Sequence, residues 1–158
     1  MSYKFDFKAL SGDWHNQLGS KVHFIADADG GITGKYHSAV GKVEDFYILI
    51  GRFDTNPPEN EGVSVGWTVT WRNVVDGKEN NRHSTTTWSG QYFDTTSGVE
   101  RIVTNWLLTR STEAKDIWDS TNVGNDTFVR DKPSAAEISM AETLSVGSPN
   151  PEQLLARR

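Results

Sequence analysis

Asp126 and a set of hydroxyls and amides interleaved with tryptophans are the residues of this sequence best suited to chemistry. Trp14, Asn16, Leu18 and Ser20 fall at alternate positions. So do Tyr36, Ser38 and Val40, then Ser84, Thr86 and Trp88, then Trp106 and Leu108. Alternate residues of a β-strand share one face, so each group projects polar atoms and indole rings the same way. A core takes Val, Ile or Leu at such positions, because a buried hydroxyl or carboxylate without a partner costs about 1–3 kcal/mol or more. Polar groups converging between aromatic walls instead imply an internal ligand. It would be small, neutral and flat or cyclic at its deep end, and would present both hydrogen-bond acceptors and donors.

The same inventory argues against catalysis. Asp126 is the one acid expected to be buried, and no second carboxylate accompanies it. Ser84 directly follows His83, and adjacent strand residues point to opposite faces, so the two cannot act as nucleophile and base. His15, His23, His37 and His83 have no metal-ligand spacing, and no metal or cofactor is expected. The absence of cysteine excludes disulfides, thiolate zinc sites and thiol catalysis. Asn125-Asp126-Thr127 is formally a glycosylation sequon, but it falls in an expected strand and is read as fortuitous.

Strands must hold these residues. From Asp13 to Asp131 the chain is β-like, with turn signals about every ten residues. The expected strands are an alternating run from Asp13 to Leu18, then 21–26, 32–36, 46–53, 63–71, 83–92, 99–109 and 123–130. The clearest has Val63, Val65, Trp67, Val69 and Trp71 on one face, with Trp67 read as structural. Asp29-Gly30-Gly31 and Asp76-Gly77 mark hairpin turns. The stretch 111–118 predicts a short helical turn. Eight antiparallel strands with short links must close or sandwich to hide their edges, and an up-and-down β-barrel is the simpler topology. The fold class is therefore all-β, an eight-stranded antiparallel barrel.

With 158 residues the chain suits one domain, and at −5 with pI near 5.3 it lacks the basic stripe that nucleic acid requires. Its apolar runs fall far short of the ~20 residues that span a bilayer. The start, MSYKFDFKALSG, has no apolar core or small-residue cleavage site, so no signal peptide is expected in this chain. A mature secreted protein with an added Met would begin the same way. After Pro133 the composition changes, and 134–158 is expected to be a flexible tail in which Ile138, Ala141 and Leu144 form at most a marginal helix. An alternative seats this tail in a neighbour's pocket as a pseudo-ligand.

Several segments, in order, resemble the avidin and streptavidin family: GDWHNQLGS (12–20), GKYHSAVG (34–41), VGWTVTW (65–71), HSTTTWSGQY (83–92), NWLLT (105–109) and VGNDTF (123–128). The resemblance covers 10–133, which it assigns as the biotin-binding barrel, and implies non-covalent binding of biotin without catalysis. It implies that Asn16, Ser20 and Tyr36 donate to the ureido oxygen, that Asp126 accepts one ureido N–H and Ser38 the other, that Thr86 faces the sulfur and that Ser84 meets the valeryl carboxylate. Trp71, Trp88 and Trp106, with Leu18, Val40 and Leu108, would wall the pocket. Trp118 would reach a neighbouring subunit's site in a homotetramer, a dimer of dimers. Asn105, Val123 and Asn125 would form a small contact between the dimers. Two departures stand out: Lys42 follows Gly41 where streptavidin has asparagine, and the link from Val74 to Arg82 is longer. The Gly12-x-Trp14 start also fits a lipocalin-like carrier of another small hydrophobic ligand, which would want a deeper, more apolar cavity.

Overall fold

In the computed structural model, residues 4–39, 45–144 and 148–149 are described. Eight strands run in chain order: β1 (Gly12–His15), β2 (Lys21–Ala26), β3 (Gly31–His37), β4 (Phe46–Phe53), β5 (Val63–Val75), β6 (Lys78–Phe93), β7 (Arg101–Arg110) and β8 (Thr121–Val129). Each pairs antiparallel with the next, and β8 returns to β1, which closes the barrel. Short 3₁₀ turns lie at Phe7–Ala9, Thr95–Ser97 and Ala114–Asp119, the last being the helical turn expected from the sequence. Among the described residues no helix is long and apolar enough to cross a membrane.

The expected alternation sets what points inward. Val63, Val65, Trp67, Val69 and Trp71 of β5 are all buried, and so are Ile102, Thr104, Trp106, Leu108 and Arg110 of β7. At one end these side chains fill the barrel. Trp67 packs edge-on to Phe24 (ring centroids 4.9 Å apart) and Phe128 (5.3 Å), and stacks on Trp88 at 5.7 Å. Trp14 closes this end rather than the site: its indole N–H donates to the Leu10 carbonyl at 2.9 Å, and the Arg130 guanidinium lies 3.7 Å above its ring.

The structure corrects the sequence reading in two places. The first strand stops at His15, so the alternation through Leu18 is not a strand. Residues 16–20 form a turn, with Asn16 Oδ1 accepting from the Leu18 and Ser20 amides at 3.1 and 2.9 Å. Gly19, at φ +85°, supplies the left-handed step this turn requires. The second correction concerns the long link after Val74. Arg72–Val75 pair with residues 78–81 through a tight Asp76-Gly77 turn, both at positive φ, so the link is a hairpin extension. Between the Thr70–Thr85 and Arg72–Asn81 pairs, Trp71 stands opposite three residues, with His83 at φ +49°. This bulge bends the hairpin beside Trp71.

Closure between β8 and β1 rests on one ladder pair, His15 with Val129. Side chains supply the rest. Arg130 donates to the Asp13 carbonyl at 3.0 Å and to the Ala9 carbonyl, and its Nε meets Glu100 at 3.2 Å. From the β1–β2 turn, Gln17 reaches β8, where its Oε1 accepts from the Thr127 amide at 3.2 Å.

Beyond β8, Ala135–Thr143 form α1. Ser134 and Glu137 start it as a capping box, each side chain bonded to the other residue's backbone N–H. Ile138 lies against the β1–β2 turn: a Cβ added at Gly19 would stand 3.0 Å from its Cδ1. The helix therefore begins beside the open end of the barrel.

Candidate functional site

The open end gathers polar atoms from three separate stretches of chain. The first is the β1–β2 turn. Because Asn16 spends its carbonyl on the turn's backbone, its NH₂ is left facing inward, at 1% exposure. The second is Tyr36 on β3, whose phenol is fully buried. Burial first, and the Asp126 charge second, push its pKa up to about 12, so it stays a donor throughout the neutral range. Ser20, also buried, accepts from the Ala39 amide at 3.3 Å and ties the turn to the end of β3.

The third stretch is β8, which carries Asp126 inward at 0% exposure. Its Oδ2 accepts from the Trp88 indole at 2.9 Å and its Oδ1 from the Gln17 amide at 2.7 Å. Desolvation dominates these bonds and raises its pKa to about 7. Thr104, the residue paired with Asp126 on β7, donates its hydroxyl to the Asp126 carbonyl at 2.9 Å and holds this part of β8 in place. Asp126 is thus an acceptor with little water, poised to take a further N–H.

Aromatic rings enclose this polar tip. Tyr36 stacks on Trp88 (5.5 Å, 29° between planes) and meets Trp71 edge-on at 5.1 Å. Trp71 donates its indole N–H to the Thr86 hydroxyl at 2.8 Å, which leaves the threonine's own O–H to turn toward a ligand. Trp106 pairs with Trp88 across the β6–β7 ladder. Its ring lies over Gly124, where any Cβ would stand 2.3 Å from Cζ2. Leu108 is buried beside it in sequence alternation, and Leu18 is half-buried in its turn.

Nearer the mouth, Ser84 is buried, and its hydroxyl has no hydrogen-bond partner among the described residues. Opposite it in register is Arg110, also buried and ion-paired with Asp119 at 2.6 Å. A cation therefore lies on the same inward face as Ser84, suited to an anionic group.

Of the residues singled out by sequence, Asn16, Ser20, Tyr36, Trp71, Thr86, Trp88 and Asp126 come together around one point. Ser38 is half-buried just past β3, and Val40, like Lys42, lies outside the described residues. Trp118 is not brought to this chain's own site: it is 81% exposed on the 3₁₀ turn before β8. Gln17, Thr104 and Arg110 were missed. Gln17 alternates with Asn16 and Leu18 in the run expected to be a strand, and the signal that redirects it is the Asn-x-x-Gly turn ahead of Ser20.

One hydroxyl already sits at this point. Ser148 Oγ accepts from the Asn16 amide at 2.9 Å, lies 3.5 Å from the Tyr36 phenol, and donates to Asp126 Oδ2 at 3.3 Å. Pro149, next to it, is buried.

Fold and site together define a closed antiparallel barrel that presents an aromatic, polar-tipped binding pocket at one end. The avidin family model matches residues 5–131. Avidin-related protein 2 of Gallus gallus is 32% identical over 124 residues, covering 77% of each chain. Avidin of Gallus gallus is also 32% identical, over 126 residues, covering 77% of this chain and 78% of its own. The chain belongs to the avidin family, whose members are non-enzymatic biotin-binding proteins that need no cofactor.

Proposed function

We propose that this protein binds biotin non-covalently in the barrel's open end and performs no reaction on it. The observation that carries this reading is the convergence of the Asn16 amide, the Tyr36 phenol and the Asp126 carboxylate on a single point. A cyclic urea needs that set: donors for its oxygen and a carboxylate for an N–H. Asn16, Ser20 and Tyr36 donate to the ureido oxygen. Asp126 takes one N–H and Ser38 the other. A carbonyl has two lone pairs, so three donors draw charge onto the oxygen, and charge-assisted bonds of this kind contribute about 1.5–3 kcal/mol each. Thr86 faces the sulfur, and Ser84 receives the carboxylate tail with Arg110 nearby. Trp71, Trp88 and Trp106, with Leu18 and Leu108, form the walls.

The protein assembles as a homotetramer, a dimer of dimers, in which Trp118 covers a neighbour's site. Support comes from its exposure, since a tryptophan ring left in water favours a partner surface. The barrel, 10–133, is the binding unit, with 134–158 appended to it.

A lipid carrier would need a deep apolar cavity, but Trp14, Phe24, Trp67, Ile102 and Phe128 fill the opposite half of the barrel. Titration with biotin, followed by tryptophan fluorescence, tests the reading. Saturable quenching or a spectral shift with biotin and none with a fatty acid is expected. A response to fatty acid alone would overturn it.

A further inference from the structure

The C-terminal segment bears on the pocket in a way the family comparison, which ends at residue 131, does not reach. From the geometry we infer that the chain regulates its own pocket: in the unliganded protein Ser148-Pro149 occupies the point where a ligand would bind. Three features carry this. Ser148 Oγ bonds the same Asn16, Tyr36 and Asp126 atoms that define the site. It does so in both senses, accepting from an amide and donating to a carboxylate, so a single hydroxyl combines the two functions that a cyclic urea spreads over its carbonyl and N–H. Pro149 is buried, which adds apolar contact to the polar match. Ile138 against Gly19 brings the start of the appended segment to the turn that carries Asn16, so the occupant is tethered next to its site. A tethered competitor acts at a high effective concentration and needs little intrinsic affinity.

Occupancy by Ser148 and by a ligand are mutually exclusive, because both use Asp126 Oδ2 and the Asn16 amide. Ligand binding therefore requires this segment to leave. The apparent association rate and affinity are the intrinsic ones multiplied by the fraction of molecules whose pocket is free. The competition with biotin rests on the function proposed above; the self-occupancy does not.

The test uses the full chain with Ser148→Glu, which sets a second carboxylate against Asp126 and expels the segment, and Ser148→Ala, which removes the shared hydroxyl. Two readouts separate the claims. The first needs no biotin: the Trp88 indole N–H donates to the same Asp126 oxygen as Ser148, so its ¹H–¹⁵N resonance should shift in both unliganded variants. The second is stopped-flow fluorescence with biotin, where Ser148→Glu should associate about tenfold faster and Ser148→Ala by a smaller factor. An unchanged Trp88 resonance together with unchanged association rates overturns the inference while leaving biotin binding intact. A shifted resonance in variants that, like the parent, fail to bind biotin upholds self-occupancy and overturns the biotin reading.

Discussion

Asp126 carries more of the expected behaviour than any other single residue. Replacement by Ala should weaken biotin by about 2–3 kcal/mol, roughly thirty- to a hundredfold or more, chiefly through faster release. Dissociation kinetics decide this, and an unchanged off-rate would remove Asp126 from the site. Its titration gives a second test. In the unfolded chain its pKa is 3.8, whereas burial raises it to about 7 in the fold. The folded state thus holds the proton longer, and stability present below pH 4 is lost as the pH climbs through about 7. A ligand N–H on this oxygen favours the ionised form, so binding should release protons below pH 7. Calorimetry at pH 6 in two buffers of different ionisation enthalpy should detect that release, and it should vanish at pH 9. Two other tryptophans, Trp106 and Trp67, divide the labour differently. Trp106→Ala should weaken binding by a few kcal/mol, through lost wall area and a void. Trp67→Ala, among Phe24, Phe128 and Trp88, should lower the melting temperature more than the affinity. The opposite ranking would mean the strand faces are misassigned.

At the level of elements, β8 is built around the ring it must accommodate. Gly124 faces Trp106 so closely that a Cβ would collide with the indole. Gly124→Val should therefore displace Trp106 and weaken biotin severalfold or more while most of the ladder persists; circular dichroism with ligand titration checks both. This packing was not legible in the sequence, because a glycine in a strand pattern does not say which side chain crosses it. The strands themselves were legible. Period two in 63–71 and the Gly turns at Asp29-Gly30-Gly31 and Asp76-Gly77 express local constraints, and the closed order follows from short links. The turn at 16–20 was not, since Asn16, Leu18 and Ser20 repeat at the spacing a strand would give. What breaks the strand is Asn16's own carbonyl capping the following amides, a tertiary-free event that periodicity cannot register. The Ser134 capping box was equally readable, yet the change of composition argued for a tail, and the Ser148 contacts with Asn16 and Tyr36 depend on partners more than a hundred residues away.

On the scale of the whole molecule, the outer face of β7 and β8 exposes Val103, Leu107 and Val123, with Asn105 and Asn125 paired across the ladder between them. Asparagine amides in a subunit contact must each find a partner or be desolvated at a loss. Asn105→Leu with Asn125→Ile should stiffen the unliganded assembly with little change in affinity. Trp118→Lys should loosen both assembly and biotin retention, as native mass measurement at low concentration and off-rates would reveal. If neither moves, Trp118 does not cross between subunits. The closure between β8 and β1 has a last consequence. One ladder pair joins those strands, and Gln17, from the β1–β2 turn, both reaches the Thr127 amide of β8 and donates to Asp126 Oδ1. Zipping the seam and presenting the acceptor are thus one cooperative event, so an occupant drawn in by Asp126 also cements the cylinder. Amide exchange at Thr127 should slow on ligation far more than at the continuous β5–β6 ladder, and Gln17→Ala should uncouple the two. In engineering terms, the hoop and the hook share a rivet.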